Sequence, residues 1–284
     1  MIDSDKAKGM LWGLIVGDAF GSPIQFSKRE EHPWITEMEA CPVFGLPPGF
    51  WTDDGAMAMC IMDSYVRKDG YDLVDIAMTF GQWLHEGYLS SIYGRAFDVG
   101  GATYDAITAF VNNGTLVNGC EETQGNGSIV RFAPSYLIAQ NERSPIKIMH
   151  EISNLTHASS VVRTVCDELS AILSDHFAGM RSVRGPSVEL KREFVPNSGW
   201  AVASLQAAEW AFNTTQSFEE GLIAAVNLGG DSDSIGAVFG QIAGSFYGFD
   251  AIPERWVKAV KTWKKVDVLI DRFIEAVADN RKQV

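Results

Sequence analysis

Two short acidic clusters carry the residue types best suited to chemistry: Thr52-Asp53-Asp54-Gly55 and Gly229-Gly230-Asp231-Ser232-Asp233-Ser234. Each stands directly ahead of an apolar helical run, Ala56 to Tyr65 in one case and Ile235 to Tyr247 in the other. Thr, Ser and Asp are common helix N-caps because their oxygens accept from the free N–H groups of the first turn. Either cluster alone therefore reads as a cap. Two clusters with four carboxylates between them exceed what capping requires. Hard cations such as Mg2+ or Mn2+ take carboxylate, hydroxyl and water oxygens. Thr52, Asp53, Asp54, Asp231, Asp233 and Ser234 form such a set. Brought together, they could hold two ions about 3.5–4 Å apart, the spacing of a binuclear hydrolytic centre. A calcium EF-hand does not fit the second cluster. With Asp231 as the first position, Ile235 and Ile242 fall where the fifth and twelfth ligands are needed.

The elements that must position these clusters are helical. Met10, Leu11, Leu14 and Ile15 form one apolar stripe, and Met57, Cys60, Ile61 and Tyr65 another. Behind Pro253, the residues Trp256, Val260, Trp263, Val266, Ile270, Phe273 and Val277 recur at three and four, which predicts one long amphipathic helix. Alternating strands are scarce, and the segment Ser187 to Val195 reads as a connection. Loops are expected over 41–49 and 112–128, where Pro, Gly and Asn collect. Glycines recur every fourth residue at Gly13, Gly17 and Gly21, and again at Gly236, Gly240, Gly244 and Gly248. Glycine inside a helix costs about 0.5–1 kcal/mol relative to alanine, so such rows need close packing as compensation. The spacing predicts that these two helices lie at the centre of the molecule, against each other.

The chain has 284 residues, 46% of them hydrophobic and 21% charged, which excludes disorder as its default state. A formal net charge of −13 argues against general binding to nucleic-acid backbones or anionic membranes. Four scattered cysteines without a CxxC pair support neither a disulfide framework nor a zinc site. Cys60 and Cys166 fall in apolar helical patterns and read as core. The residues from Met1 show no basic stretch followed by an apolar run, so a cytoplasmic, monomeric protein is expected.

Taken in order, several segments resemble the ADP-ribosylglycohydrolase family, including the type that reactivates dinitrogenase reductase. They are Gly13 to Gly21, Thr52-Asp53-Asp54, Ala96 to Gly100, Gly125-Asn126-Gly127-Ser128 with Arg131 and Pro134, Thr156 to Ser159, Ser198-Gly199-Trp200, and Val226 to Gly248. The resemblance spans nearly the whole chain. It implies one all-α, compact, orthogonal multi-helix domain over residues 1–284, with two Mg2+ or Mn2+ ions at its centre. Thr52, Asp53, Asp54, Asp231, Asp233 and Ser234 would ligate them, Ser234 standing where the family usually has Thr. Gly125, Asn126, Gly127 and Ser128 would hold a diphosphate through backbone N–H groups that glycine lets approach closely. His157 would line the ribose and phosphate pocket, and Trp200 would supply an aromatic face. Asp98 would lie near the scissile bond. A histidine alone is more often a satisfied core residue, and tryptophans are usually core; both roles come from the resemblance.

Two positions depart from the family pattern. Gln25 stands where Glu is common, and Gly55 where many members have Thr. An amide can orient water through its carbonyl, but it cannot act as a general base. The implied activity is hydrolytic removal of ADP-ribose from a modified protein, with arginine as the acceptor. Asp98, Gln25 and Asp54 are the candidate catalytic residues. The competing expectation is a protein of the same fold that binds ADP-ribose or blocks a partner such as an ADP-ribosyltransferase, with turnover impaired by Gln25. A two-metal phosphoesterase would explain the carboxylates but not the order of the segments.

Overall fold

A computed structural model describes residues 3–185 and 189–280. Its elements are α1 (Ser4–Gly21), α2 (Asp53–Lys68), α3 (Leu73–Glu86), α4 (Gly101–Asn113), α5 (Phe132–Ala139), α6 (Pro145–Asn154), α7 (Ser160–Phe177), α8 (Ala201–Thr214), α9 (Phe218–Val226), α10 (Ser232–Tyr247), α11 (Glu254–Ala259) and α12 (Trp263–Asn280). The expected all-α class holds: among the described residues extended pairing is limited to two isolated bridges, Cys41 with Leu46 and Gly125 with Trp200. Local signals start and stop the helices. Asp3 accepts from the N–H groups of Asp5 and Lys6 at the start of α1, and Ser159 and Ser217 cap α7 and α9. Gly87 and Gly114 end α3 and α4 in the left-handed conformation.

Beyond its polar first turns α1 is apolar on every side except at Asp18, and it is buried from Gly9 to Gly21. It runs antiparallel to α10 along the two glycine rows. A Cβ built on Gly13 would lie 2.2 Å from the Gly240 carbonyl oxygen, and one on Gly17 would lie 2.0 Å from that of Gly236. Gly9 extends the row and faces Gly244. Gly248 closes the row: a Cβ on Gly9 would lie 2.5 Å from the Gly248 carbonyl carbon. Gly248 itself ends α10 with φ 80°, where a Cβ would strike the Asp5 carboxylate. The antiparallel arrangement brings Gly21 against Ser232 and Asp233, so the last turn of α1 meets the first turn of α10.

The single long C-terminal helix expected from periodicity is two helices. α11 ends at Ala259, and Thr262 adopts φ 52° before α12 begins. The cause is the loop before α2. Gly49 approaches so closely that a Cβ would lie 1.9 Å from the Ala259 carbonyl oxygen, and its own carbonyl accepts from Lys261 N–H at 2.7 Å. The apolar face survives the break: Trp256, Val260, Val266, Ile270, Phe273 and Val277 are buried. Glu189 to Val195 is a connection with a short 3-10 turn at Arg192–Phe194, while Ser187 and Val188 lie outside the described residues. Cys60 and Cys166 are buried and free, as expected; Cys41 is buried too, and Cys120 is exposed. No helix among the described residues is long and apolar enough to cross a membrane.

Candidate active site

The cluster ahead of α2 is not an ordinary cap. Thr52 occupies the N-cap position, yet its side chain does not cap the helix. Its hydroxyl donates instead to Asp18 on α1 at 2.9 Å, and its backbone N–H points to the same carboxylate. Gly55 N–H also donates to Asp18, at 2.8 Å. A Cβ on Gly55 would sit 2.9 Å from that carboxylate, so a side chain there must displace it. Asp18 thus satisfies donors at the start of α2 and leaves Asp53 and Asp54 uncommitted to the backbone. The cluster ahead of α10 behaves alike. Asp231 is at the N-cap position but makes no capping bond; it accepts from the Asn126 amide and the Ser234 hydroxyl.

Asp98 completes the group from the loop before α4. Its backbone is left-handed, with φ 56°, which Asp tolerates better than most residues. Its carboxylate accepts from the Gln25 side-chain amide at 2.8 Å, and the Gln25 carbonyl oxygen is buried without a partner. Asp54 Oδ2 and Asp233 Oδ1 are likewise buried and unpartnered. Burial and then neighbouring carboxylates push Asp53, Asp54 and Asp233 well above the ordinary carboxylate range. Burial raises Asp18 to about 7 despite its three donors. Arg131 is the buried cation that opposes this charge, and burial brings it down to about 10. Its guanidinium donates to the Gly127 carbonyl and to the Thr156 hydroxyl.

Burial, and then the Arg131 charge, lower His157 to about 3, so the ring is neutral at physiological pH. Thr156 Oγ1 lies 2.7 Å from His157 Nδ1. A hydroxyl that already accepts from Arg131 can give its hydrogen to Nδ1, which leaves Nε2 protonated and turned toward the glycine loop. A Cβ on Gly127 would lie 2.7 Å from this ring, which accounts for glycine at that position.

These groups converge on one cavity of about 460 Å³. Gln25, Asp53, Asp54, Asp98, Gly125, Asn126, Gly127, His157, Asp231, Asp233 and Ser234 all line it. Three of the expected residues do not. Thr52 lies beneath it against Asp18, and Ser128 is buried against the Ser153 hydroxyl. Trp200 stands at the surface, where its indole N–H donates to Gln124 and its backbone pairs with Gly125. Larger depressions, of about 620 Å³ on α6 and about 630 Å³ beside α12, gather no comparable cluster of carboxylates. Asp18 is the residue that sequence reasoning missed and could have found. It is a lone charge in the apolar run Leu11 to Phe20, and an acid buried in such a helix needs a reason. Among the described residues, no group of three or more His, Cys, Asp or Glu side chains stands ready-made to hold a metal ion.

This all-helical architecture is shared by a known structure, and the sequence by known proteins. The family model described as ADP-ribosylglycohydrolase matches residues 2–189 and 164–283. The ADP-ribosylarginine hydrolase Tri1 of Pseudomonas putida (strain GB-1) is 32% identical over 302 residues, covering 99% of this chain and 80% of that protein. The ADP-ribosyl-(dinitrogen reductase) glycohydrolase of Rhodospirillum rubrum is 28% identical, covering 97% of this chain and 95% of that one. A solved ADP-ribosylglycohydrolase-related protein complex superimposes with a TM-score of 0.83 at 30% identity, over 96% of this chain and 98% of that chain. The chain belongs to the ADP-ribosylglycohydrolase family.

Proposed function

We propose that this protein hydrolyses the bond between ADP-ribose and an arginine side chain of a modified protein, with two Mg2+ or Mn2+ ions as cofactors. The observation that carries the reading is the convergence of Asp53, Asp54, Asp98, Asp231 and Asp233 with the Gly125–Gly127 loop in one cavity. The relatives named as ADP-ribosylarginine hydrolase and ADP-ribosyl-(dinitrogen reductase) glycohydrolase support the substrate.

The donor set fits hard cations. Buried carboxylate oxygens without partners, at Asp54 and Asp233, are costly unless a proton or a cation meets them. Because the Thr52 hydroxyl donates to Asp18, its lone pairs remain open to a cation. Asp53, Asp54, Asp231, Asp233, Thr52 and Ser234 would hold the ions, with water completing each shell. Bound divalent cations would supply positive charge to the hydroxyls of the ribose. The chain's own groups do the rest. Backbone N–H groups of the glycine loop receive the diphosphate, and His157 Nε2 donates beside them. Charge of oxocarbenium type develops at the anomeric carbon and is stabilised by the surrounding carboxylates. Asp98 takes the proton of the attacking water as the bond from the anomeric carbon to the arginine nitrogen breaks. The guanidine leaves with the electron pair and takes a proton back from Asp98 or water, and Gln25 holds the Asp98 carboxylate by its amide.

Release of ADP-ribose from arginine- and serine-modified proteins, compared in Mg2+, Mn2+ and EDTA, tests this reading. Activity on the arginine linkage that EDTA abolishes is the expected result. Binding of ADP-ribose without turnover on any linkage would replace the hydrolase by a binding protein.

A further inference from the structure

Phe26 borders the acidic cavity and has no part in the chemistry above. The residue is 64% exposed, and its backbone has φ 66°, an outlier for a bulky residue. Two backbone hydrogen bonds hold it there. Phe26 N–H donates to the Gly230 carbonyl, and Gly230 N–H donates to the Ser27 carbonyl, both at 2.7 Å. Gly230 can do this because it lacks a side chain: a Cβ would lie 2.0 Å from the Asn197 carbonyl oxygen. The fold therefore maintains a strained backbone and an exposed apolar ring together, and both cost free energy. Strain held at the rim of a cavity directs attention to what the ring meets there.

The ring separates the acidic cavity from a second, more open depression of about 460 Å³, which Glu193 and Asn197 border. Its neighbours show which part of a substrate passes it. Gln25, one residue back, holds Asp98, and Gly230, bonded to Phe26, directly precedes Asp231. The ring thus stands beside the carboxylates at the reacting end, with open space beyond. The part of a substrate that leaves the cavity at that end is the acceptor side chain, which must continue into the rest of its protein.

Resting on the arginine-linked reading above, we propose that Phe26 is the platform on which the guanidinium of the leaving arginine stacks. The depression beyond it receives the polypeptide carrying that arginine. An aromatic face attracts a guanidinium, and the planar group stacks on it well. Asp98, the cavity carboxylate not assigned to the ions, favours a cation at this position, whereas the neutral adenine ring gains nothing from it. Two cations border the depression, and neither occupies the ring. Arg29 donates to the carbonyls of Leu228, Arg192 and Val195, and Lys28 pairs with Glu31.

The test separates acceptor from ADP-ribose. Wild type, Phe26→Leu and Phe26→Tyr are compared for KM on ADP-ribosyl-arginine with Mg2+, for ADP-ribose affinity, and for thermal midpoint. Leucine keeps apolar bulk but has no π face. The expected result is a KM raised about 5- to 30-fold by Phe26→Leu, with ADP-ribose affinity unchanged and Phe26→Tyr behaving as wild type. An unchanged KM, or an equal loss of ADP-ribose affinity, overturns the proposal. If wild type does not cleave ADP-ribosyl-arginine, the proposed function falls, and the platform is tested by titrating agmatine into the ADP-ribose-saturated protein. Weaker agmatine binding to Phe26→Leu then upholds it; equal binding, or none to wild type, overturns it.

Discussion

The contact between α1 and α10 changes character along its length. From Gly9 to Gly17 backbone lies on backbone, with no polar side chain between the helices. One turn further on, Asp18 and Asp233 are buried with carboxylates on several sides. The first region is dry and satisfied; the second is charged and carries unpartnered oxygens. The same pair of helices makes both. A cluster of like charges tends to spread apart, and the rigid glycine seam beside it prevents that. Stability at one end of the pair thus holds a poised, unstable arrangement at the other.

The comparison breaks most visibly at the seam. Gly240→Leu is expected to cost about 3 kcal/mol or more, at or above the upper end for overpacking, because the clash is with the Gly13 carbonyl and no rotamer relieves it. Chemical denaturation checks this, with Gly101→Ala, which meets nothing within 4 Å, as a nearly neutral control. Next in size is Asp98→Asn, expected to lower kcat about 10²- to 10⁴-fold with ADP-ribose affinity retained. Gln25→Glu should gain less than about tenfold, because Asp98 already serves as the base. A larger gain in single-turnover rates would make position 25 the missing base. The new carboxyl also faces Asp98 at the 2.8 Å now spanned by the amide, so the pair must share a proton unless a cation intervenes.

The acidic end also predicts a pH dependence. Asp18 rises from an ordinary 3.8 to about 7, and Asp53, Asp54 and Asp233 move in the same direction. A raised carboxylate contributes stability below the unfolded value and loses it as pH rises through the folded value. Metal-free protein should therefore lose a few kcal/mol, on the order of magnitude only, as pH rises from the ordinary carboxylate range to neutrality and above. Saturating Mg2+ should flatten the profile, as thermal melts at stepped pH would show. The smallest effect expected is at Asp233→Asn. It removes one buried carboxyl from a cluster of like groups and should stabilise the metal-free protein above neutral pH by about 1 kcal/mol while weakening Mn2+ binding, read by calorimetry. Destabilisation instead would mean that Asp233 is satisfied without a metal.

What the sequence disclosed was decided by how local each cause is. The glycine rows at Gly13 to Gly21 and Gly236 to Gly248 were legible because spacing by four marks one helix face. The cavity residues came from the order of the motifs, and most of them meet. The C-terminal break was not legible, since nothing between Ala259 and Thr262 signals it; Gly49, over two hundred residues away in sequence, imposes it. Trp200 does not line the cavity, and its indole N–H is bonded to Gln124, a partner that spacing alone does not reveal. The role of Asp18 stayed hidden because its partners are the backbone of another helix.

The seam has a further consequence, for how the chain is made. About 210 residues separate Gly21 from Ser232, so the apolar α1 has no α10 to pack against until late in synthesis. At about 5–20 residues per second, that interval lasts roughly 10–40 s. Throughout it the apolar stretch from Gly9 to Gly17 has no glycine row to bury it. The carboxylates of α2 likewise stay apart from those of α10 until α10 is made. The finished charge cluster therefore forms only when the seam that restrains it closes.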